Sequence, residues 1–527
     1  MIDISLMPEP TLRLASARLA LHLWGWPGFR VDESLLSGWD HDAPGFIRSF
    51  LERAHGVFFV LIEERAENKW TFFSDLYTCK KVFYLLKEGR LFLADFLFKF
   101  KPQIAGMNDL DRAALGLYLL FGYLPGNGTL YRPVKSLKPF TYYEFTAGRL
   151  AERQYYKVDF SSPEDIDFNE ATTEVFSRFE AAFLEHTRSF ERFLVPLSGG
   201  RDSRFLLALA LKHFDKKQVT TFTFGQPGSL DYEIGRGLAK KYGLHALLLP
   251  FNPKTYLAEH ILPATPFKNG LINHVQESPA RFYRQVLGDD DDRLILSGYI
   301  GDAVLAFNHQ RRMIKGEMGD PLPAASHFSY EAVLDGPFAD CRGDILDRVK
   351  VLAGLMVEDD GRPEAERWLY YVHAPCFTNP CLFAEEKSYP FALPFVDRGF
   401  FDFIARIPAH YKQRPDFYCQ VLRCDPFVFN FFHYPLKNLR GAGYENNALV
   451  NGLYRAGLYG RALWKGARPK KNYIDFDRIF SDRFLKKEIA ALRHWPRLAP
   501  FLAGIDLTTK QKRLLYSLRL NLETFFG

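Results

Sequence analysis

The stretch Val195–Ser203, VPLSGGRDS, holds the densest set of chemically useful groups in the chain. Gly199 and Gly200 let backbone amides approach an anion closely. A helix expected right after them adds oriented N–H groups and the positive end of its dipole. Ser198 and Ser203 offer hydroxyls to phosphate oxygens. Asp202 would repel a phosphate, so its presence makes sense if it holds Mg2+ against the phosphates. The plainer use of the same residues is a strand–helix turn with Asp202 as the helix cap. No G-x4-G-K-[ST] run occurs, which excludes a P-loop NTPase.

Such a loop needs a buried strand behind it and a helix in front. Phe193–Leu197 is an apolar run, and Ser203–His213 has helical spacing. The alternation continues through Val219–Phe224, a helix at Asp231–Tyr242, Ala246–Phe251, a helix at Glu277–Leu287, and Arg293–Leu296. Short buried strands separated by helices predict βαβ units and a parallel sheet. Farther on, Glu364–Ala374, Arg398–Ile407, Gln420–Phe432 and Gln511–Phe525 predict helices. Residues 11–150 read differently. Leu12–Trp24, Gly56–Ile62, Trp70–Ser74, Lys81–Leu86, Arg90–Ala94, Tyr142–Phe145 and Leu150–Tyr156 predict strands. Lys87-Glu88-Gly89 and Ala147-Gly148 mark hairpin turns, and Asp111–Tyr123 predicts a helix. This part is expected to be an antiparallel α+β domain over residues 1–160. The polar segment 158–170, VDFSSPEDIDFNE, reads as a linker, with the second domain, 171–527, starting near Ala171 on the amphipathic helix Glu174–Phe190.

Composition narrows the function classes. The 527 residues are 47% hydrophobic and 16% aromatic, ample for sizeable cores. A net charge of +6 spread over the chain makes neither nucleic acid nor a membrane surface an expected partner. The longest apolar runs, such as Val57–Ile62 and Leu115–Leu120, are far short of a membrane span. MIDISLMPEP has no basic segment leading into an apolar one, so a soluble cytoplasmic protein is expected. Cys79, Cys341, Cys376, Cys381, Cys419 and Cys424 show no zinc-ligand spacing and are expected as buried reduced thiols. The acidic run Asp289–Asp292 and the basic run Lys465–Lys471 read as solvated loops.

S-G-G-x-D-S resembles the PP-loop of N-type ATP pyrophosphatases, and nearly the whole chain resembles the asparagine synthetase family. Leu294–Asp302, LILSGYIGD, is similar to that family's second loop, S-G-x-G-x-D. Leu393–Asp397, LPFVD, resembles its PFLD segment, without the E-x-R that precedes it there. Tyr434–Gly441, YPLKNLRG, resembles its R-P-K-x-G-F loop. Thr221–His245 is similar to its second βα unit, with Asp231 near the helix start. The resemblance implies an α/β chain: an Ntn-hydrolase-like amidotransferase domain, then a parallel-sheet PP-loop domain with a helical C-terminal part. It implies ATP and pyrophosphate binding by Leu197, Ser198, Gly199, Gly200, Asp202, Ser203, Phe224, Ser297 and Gly298. It implies Mg2+ held by Asp202 and Asp302, and Lys437 as the catalytic lysine that stabilises charge on the phosphate and acyl oxygens. A Tyr at position 299 is similar to β-lactam synthetases, where it belongs to the base for an amine nucleophile; packing in the core is the plainer role. His274 in KNGLINH is a further candidate for the acyl pocket, and Glu385, Glu386 and Lys387 form a charge cluster expected to be solvated.

The expected reaction is ATP-dependent amide formation. A small-molecule or peptide carboxylate attacks the α-phosphate, pyrophosphate leaves, and ammonia or an amine displaces AMP from the acyl-adenylate. The alternatives are an intramolecular amide cyclase, of the β-lactam synthetase or lasso-peptide cyclase type, and a nucleotide-binding scaffold without catalysis. The family's glutaminase uses an N-terminal Cys with its own α-amine as base. The sequence begins Met1-Ile2-Asp3 and its first Cys is Cys79, so glutamine hydrolysis is not expected.

Overall fold

The computed structural model describes residues 2–37, 43–160, 165–271, 280–288, 292–305, 313–315, 321–355, 364–383, 389–437, 452–454, 456–457, 474–494 and 507–526. Period-2 alternation builds the first domain. Strands β1 (Ile2–Leu6), β2 (Leu12–Ala15), β3 (Leu19–Trp26), β4 (Val57–Glu64), β5 (Lys69–Ser74), β6 (Phe83–Lys87), β7 (Arg90–Ala94), β8 (Val134–Ser136), β9 (Thr141–Thr146) and β10 (Arg149–Gln154) form two sheets. One has the order β10-β9-β5-β4-β3-β2, the other β1-β7-β6-β8. On β3 and β4, Leu21, Leu23, Phe58 and Val60 face outward onto Phe46, Ile47 and Phe50 of the Ala43–Arg53 helix. The alternate residues Trp24, Phe59 and Leu61 face inward onto Val82, Tyr84, Leu91 and Leu93 of the second sheet. Phe83, Leu85 and Val134 lie on that sheet's other face, in one cluster with the Arg112–Phe121 helix. The result is helix, sheet, sheet, helix.

The structure refines several sequence expectations. The predicted strand Leu12–Trp24 is two strands, β2 and β3, paired antiparallel across a turn. The segment Ile2–Leu6 is a strand, and it pairs parallel with β7 in an otherwise antiparallel domain. The helix expected from Glu174 starts at Phe168, because the Asp167 side chain accepts from the amides of Asn169 and Glu170 and caps it there. Val158 and Phe160, inside the expected linker, are buried.

In the second domain β11 (Phe193–Pro196), β12 (Val219–Gly225), β13 (His245–Pro250), β14 (Leu294–Leu296), the antiparallel partners β15 (Met313–Lys315) and β16 (Pro321–Pro323), and β17 (Phe391–Ala392) are the described strands. Five of them form a parallel sheet in the order β13-β12-β11-β14-β17. Phe193, Leu194 and Val195 are fully buried, as a parallel strand covered on both faces requires. The chain runs outward from β11 to β13, then returns to the other side of β11 with β14. The direction of winding therefore reverses between β11 and β14, which opens a crevice at their carboxyl ends. The helix expected over Gln420–Phe432 is two pieces, Phe417–Arg423 and Pro426–Asn430. Asp425 caps the second piece by accepting from the Val428 amide, and Pro426 starts it. Among the described residues no helix is long and apolar enough to cross a membrane.

Candidate active site

The crevice between β11 and β14 contains a cavity of about 430 Å3. Leu197, Ser198, Gly200, Asp202, Ser203, Phe224, Ser297, Gly298, Tyr299, Asp302 and Lys437 all line it, so residues drawn from more than 200 positions of sequence meet there. Gly199 lies behind the lining: its carbonyl accepts from the Lys437 amide at 2.9 Å. A Cβ on Gly199 would sit 3.0 Å from the Lys437 Cβ, so glycine sets how closely the two segments approach.

The loop after β11 is knitted by its serines. The Gly200 amide donates to Ser198 Oγ at 3.1 Å, and the Ser198 amide donates to Ser203 Oγ at 3.2 Å. Asp202 is not the helix cap; Arg201 holds that position without a side-chain bond, and Asp202 opens the Asp202–His213 helix. The carboxylate turns outward to the second loop. Its Oδ2 accepts from the Asp302 amide at 3.1 Å and its Oδ1 from the Tyr418 hydroxyl at 2.8 Å. The second loop needs glycine to receive it: a Cβ on Gly301 would lie 2.7 Å from the Asp202 Cγ, and one on Gly298 would lie 2.8 Å from its Cβ. Between these two glycines Ile300 adopts a left-handed φ of 50°, strained for a β-branched residue.

Burial first, and the Asp302 charge second, hold the Asp202 carboxyl well above the usual carboxylate range; Arg201 opposes this. The Arg201 guanidinium donates to Asp302 Oδ1 from Nη2 at 2.7 Å and from Nε at 3.2 Å. Burial, then Asp202, push the Tyr418 hydroxyl well above its ordinary range, which keeps it a neutral donor. Two neighbouring carboxylates are hard oxygen donors that suit a divalent cation. Among the described residues no three His, Cys, Asp or Glu side chains gather, so such a cation would take its other ligands from phosphate and water.

Lys437 Nζ donates to Asp231 Oδ2 at 2.5 Å, and Asp231 Oδ1 accepts from the Gly199 amide at 3.3 Å. Asp231 thus ties the lysine to the loop after β11. Arg204 fixes the segment that delivers it: this buried guanidinium donates to the carbonyls of Tyr434 at 2.8 Å, Pro435 at 2.7 Å and Phe431 at 3.3 Å. Tyr299 lines the cavity, but its hydroxyl donates to Asn379 Oδ1. Burial, with Cys79 and Asp75 behind it, holds that hydroxyl well above its ordinary range. A hydroxyl that engaged and that reluctant to ionise is a poor base, and the ring packs edge-on against Phe383.

Arg201, Arg204, Asn379 and Tyr418 escaped the sequence reading. For Arg204 a signal existed, a charged residue on the otherwise apolar helix run FLLALAL. Asn379 follows the widened helix Leu369–Thr378, which contains Pro375 and has no period that a sequence scan would recognise. His274, Glu385, Glu386, Lys387, Gly441 and Lys465–Lys471 lie outside the described residues.

Residues 174–424 match the family model described as asparagine synthase. Asparagine synthetase [glutamine-hydrolyzing] 1 of Bacillus subtilis is 23% identical over 210 residues, 39% of this chain and 33% of the relative. The 7-cyano-7-deazaguanine synthase of Wolinella succinogenes is 36% identical over 72 residues, 14% of this chain and 31% of the relative. The chain thus spans about a third of the length of these curated relatives. A solved glutamine phosphoribosylpyrophosphate amidotransferase from B. subtilis, complexed with ADP and GMP, covers 68% of this chain and 78% of its own at 11% identity. The TM-score is 0.19. The matched residues 174–424 contain both loops of the crevice, so the part of the chain that builds this site is the part similar to the asparagine synthase family.

Proposed function

We propose that the protein is an ATP- and Mg2+-dependent ligase that activates a carboxylate as its acyl-adenylate and passes the acyl group to ammonia or an amine. The observation that carries this reading is the meeting of the serine-rich PP-loop, the Asp202–Asp302 pair and Lys437 around one cavity. ATP would place its phosphates on the loop amides and on Ser198 and Ser203, with Phe224 beside the adenine. Asp202 and Asp302 would hold Mg2+, which supplies charge neutralisation to the phosphates. The substrate carboxylate attacks the α-phosphate. The new bond joins carboxylate oxygen to phosphorus, and the bond to pyrophosphate breaks. Lys437 offers a compact positive charge to the oxygens that gain charge in that step. The nitrogen nucleophile then attacks the acyl carbon, and AMP leaves.

Nitrogen from glutamine is not part of the proposal. Cys79 is buried, and burial with the nearby Asp75 holds its thiol well above the ordinary range, the reverse of an activated nucleophile. A cytoplasmic setting suits the six cysteines, which form no disulfide; four are buried as expected, but Cys341 is half-buried and Cys424 is exposed. The test is ATP–pyrophosphate exchange by the whole protein across a panel of carboxylic acids. Exchange that requires one acid class and is lost in Asp302→Asn is expected. Absence of exchange with every acid of the panel, alongside ordinary ATP binding, would leave a nucleotide-binding scaffold instead.

A further inference from the structure

The x position of S-G-G-x-D-S is Arg201, and its guanidinium stands on Asp302. Two donors, Nη2 at 2.7 Å and Nε at 3.2 Å, converge on one oxygen, Oδ1. The guanidinium also lies 4.8 Å from the ring centroid of Tyr418, whose hydroxyl binds Asp202. It is therefore a cation seated on one member of the carboxylate pair that the proposed function gives to Mg2+. The side chain of Arg201 is 12% exposed and that of Asp302 41% exposed.

We propose that Arg201 is a built-in competitor for the metal: it holds Asp302 while the divalent cation is absent, and turns onto the nucleotide phosphates when the cation takes that carboxylate. The inference rests on the metal reading of Asp202 and Asp302 given above. Three features support it. Two like charges at one crevice need a counter-charge in every state, and arginine keeps its charge at any working pH, so relief comes by movement rather than by loss of a proton. The contact uses one carboxylate oxygen, not the parallel two-oxygen fork that makes arginine pairs strong, and Asp302 is exposed enough for partner exchange to cost little. The new partner is close at hand, because Arg201 lines the same cavity as Ser198, Ser203 and Lys437. Phosphate oxygens there would accept the guanidinium that the metal displaces.

The experiment uses the full-length protein, Mn2+ as the probe and electron paramagnetic resonance as the readout, without nucleotide or acid. Arg201→Leu should bind Mn2+ about 10-fold more tightly than wild type, the scale of removing one competing cation from a partly exposed carboxylate. Arg201→Lys, which keeps the charge but not the two-donor grip, should fall between them and guards against misfolding of the leucine variant. Asp302→Asn should lose the Mn2+ site in either background. With Mn2+ saturating, Arg201→Leu should bind ATP more weakly than wild type, because no guanidinium is released onto the phosphates. Equal or weaker Mn2+ binding in Arg201→Leu and Arg201→Lys would overturn the competitor role while leaving the metal site standing. No saturable Mn2+ site in any variant would overturn the metal reading itself, and the competitor role with it.

Discussion

Both oxygens of Asp202 accept hydrogen bonds, from Tyr418 and from the Asp302 amide, yet burial and the Asp302 charge hold its carboxyl above the ordinary range. An acid with a raised folded-state pKa costs stability once the pH exceeds its unfolded value, about 3.9 for Asp, because the unfolded chain ionises first. Asp202→Asn should therefore raise the stability of the ligand-free protein at pH 7, on the order of 1 kcal/mol, and the gain should vanish toward pH 3. An amide can still serve both partners, since the Tyr418 hydroxyl can accept as well as donate. Pyrophosphate release should nevertheless disappear, with a loss of about 3 kcal/mol or more of transition-state stabilisation. Thermal melts across pH, paired with a pyrophosphate assay, check both halves. Lys437→Ala and Lys437→Arg should each lose about 100-fold in turnover while ATP affinity changes little; a solvated lysine would tolerate both. Asp202 was legible because Ser, Gly and Asp sit in one short run after an apolar strand, whereas Lys437 was reached only through the resemblance of its loop to the family's. Arg201 and Tyr418 were not, since nothing in local spacing shows which side chain a distant helix will aim at a carboxylate.

The element that brings Lys437 to the crevice is held by one helix residue, Arg204, through carbonyls of the segment 431–435. Replacing it with Met leaves those carbonyls buried without a donor. Arg204→Met should cost about 2–4 kcal/mol of stability. Where the variant remains folded, its turnover should fall more than its ATP affinity, because Lys437 loses its placement. Denaturant titration and a kcat-against-KM comparison separate the two effects. The second loop offers a contrast between neighbours. Gly301→Ala puts a methyl 2.7 Å from the Asp202 Cγ and 2.8 Å from Phe395 Cζ, so it should abolish turnover. Ile300→Gly removes a left-handed strain and should be tolerated in turnover and in melting temperature. Element types followed from periodicity, but boundaries did not. Asp167 moved one helix start upstream of the apolar pattern, and Asp425-Pro426 cut another helix in two. Capping chemistry is a matter of single residues, and a window that averages over a turn passes over it.

The two domains share one continuous apolar cluster, running from Phe83 and the Arg112–Phe121 helix to the strand residues Phe193 and Leu194. A hydrogen-bond path also crosses between them. The Tyr299 hydroxyl donates to Asn379, whose amide donates to the carbonyl of Tyr77. The whole protein should therefore unfold in one calorimetric transition, and two separated transitions would show that the domains are independent. The polar run 158–170 suggested a looser joint, because a composition reading does not reveal that Val158 and Phe160 face into the core. Glutamate production from glutamine should stay at background; production that survives Cys79→Ala would reveal another nucleophile in the first domain. The most direct measurement follows the phosphorus. Whole protein, ATP, Mg2+ and an exchange-active acid carrying 18O in its carboxylate are reacted with ammonia and read by 31P NMR. AMP and pyrophosphate should form in equal amounts, with one 18O carried from the acid into AMP. ADP and phosphate as products, or AMP without the label, would contradict attack of the carboxylate on the α-phosphate.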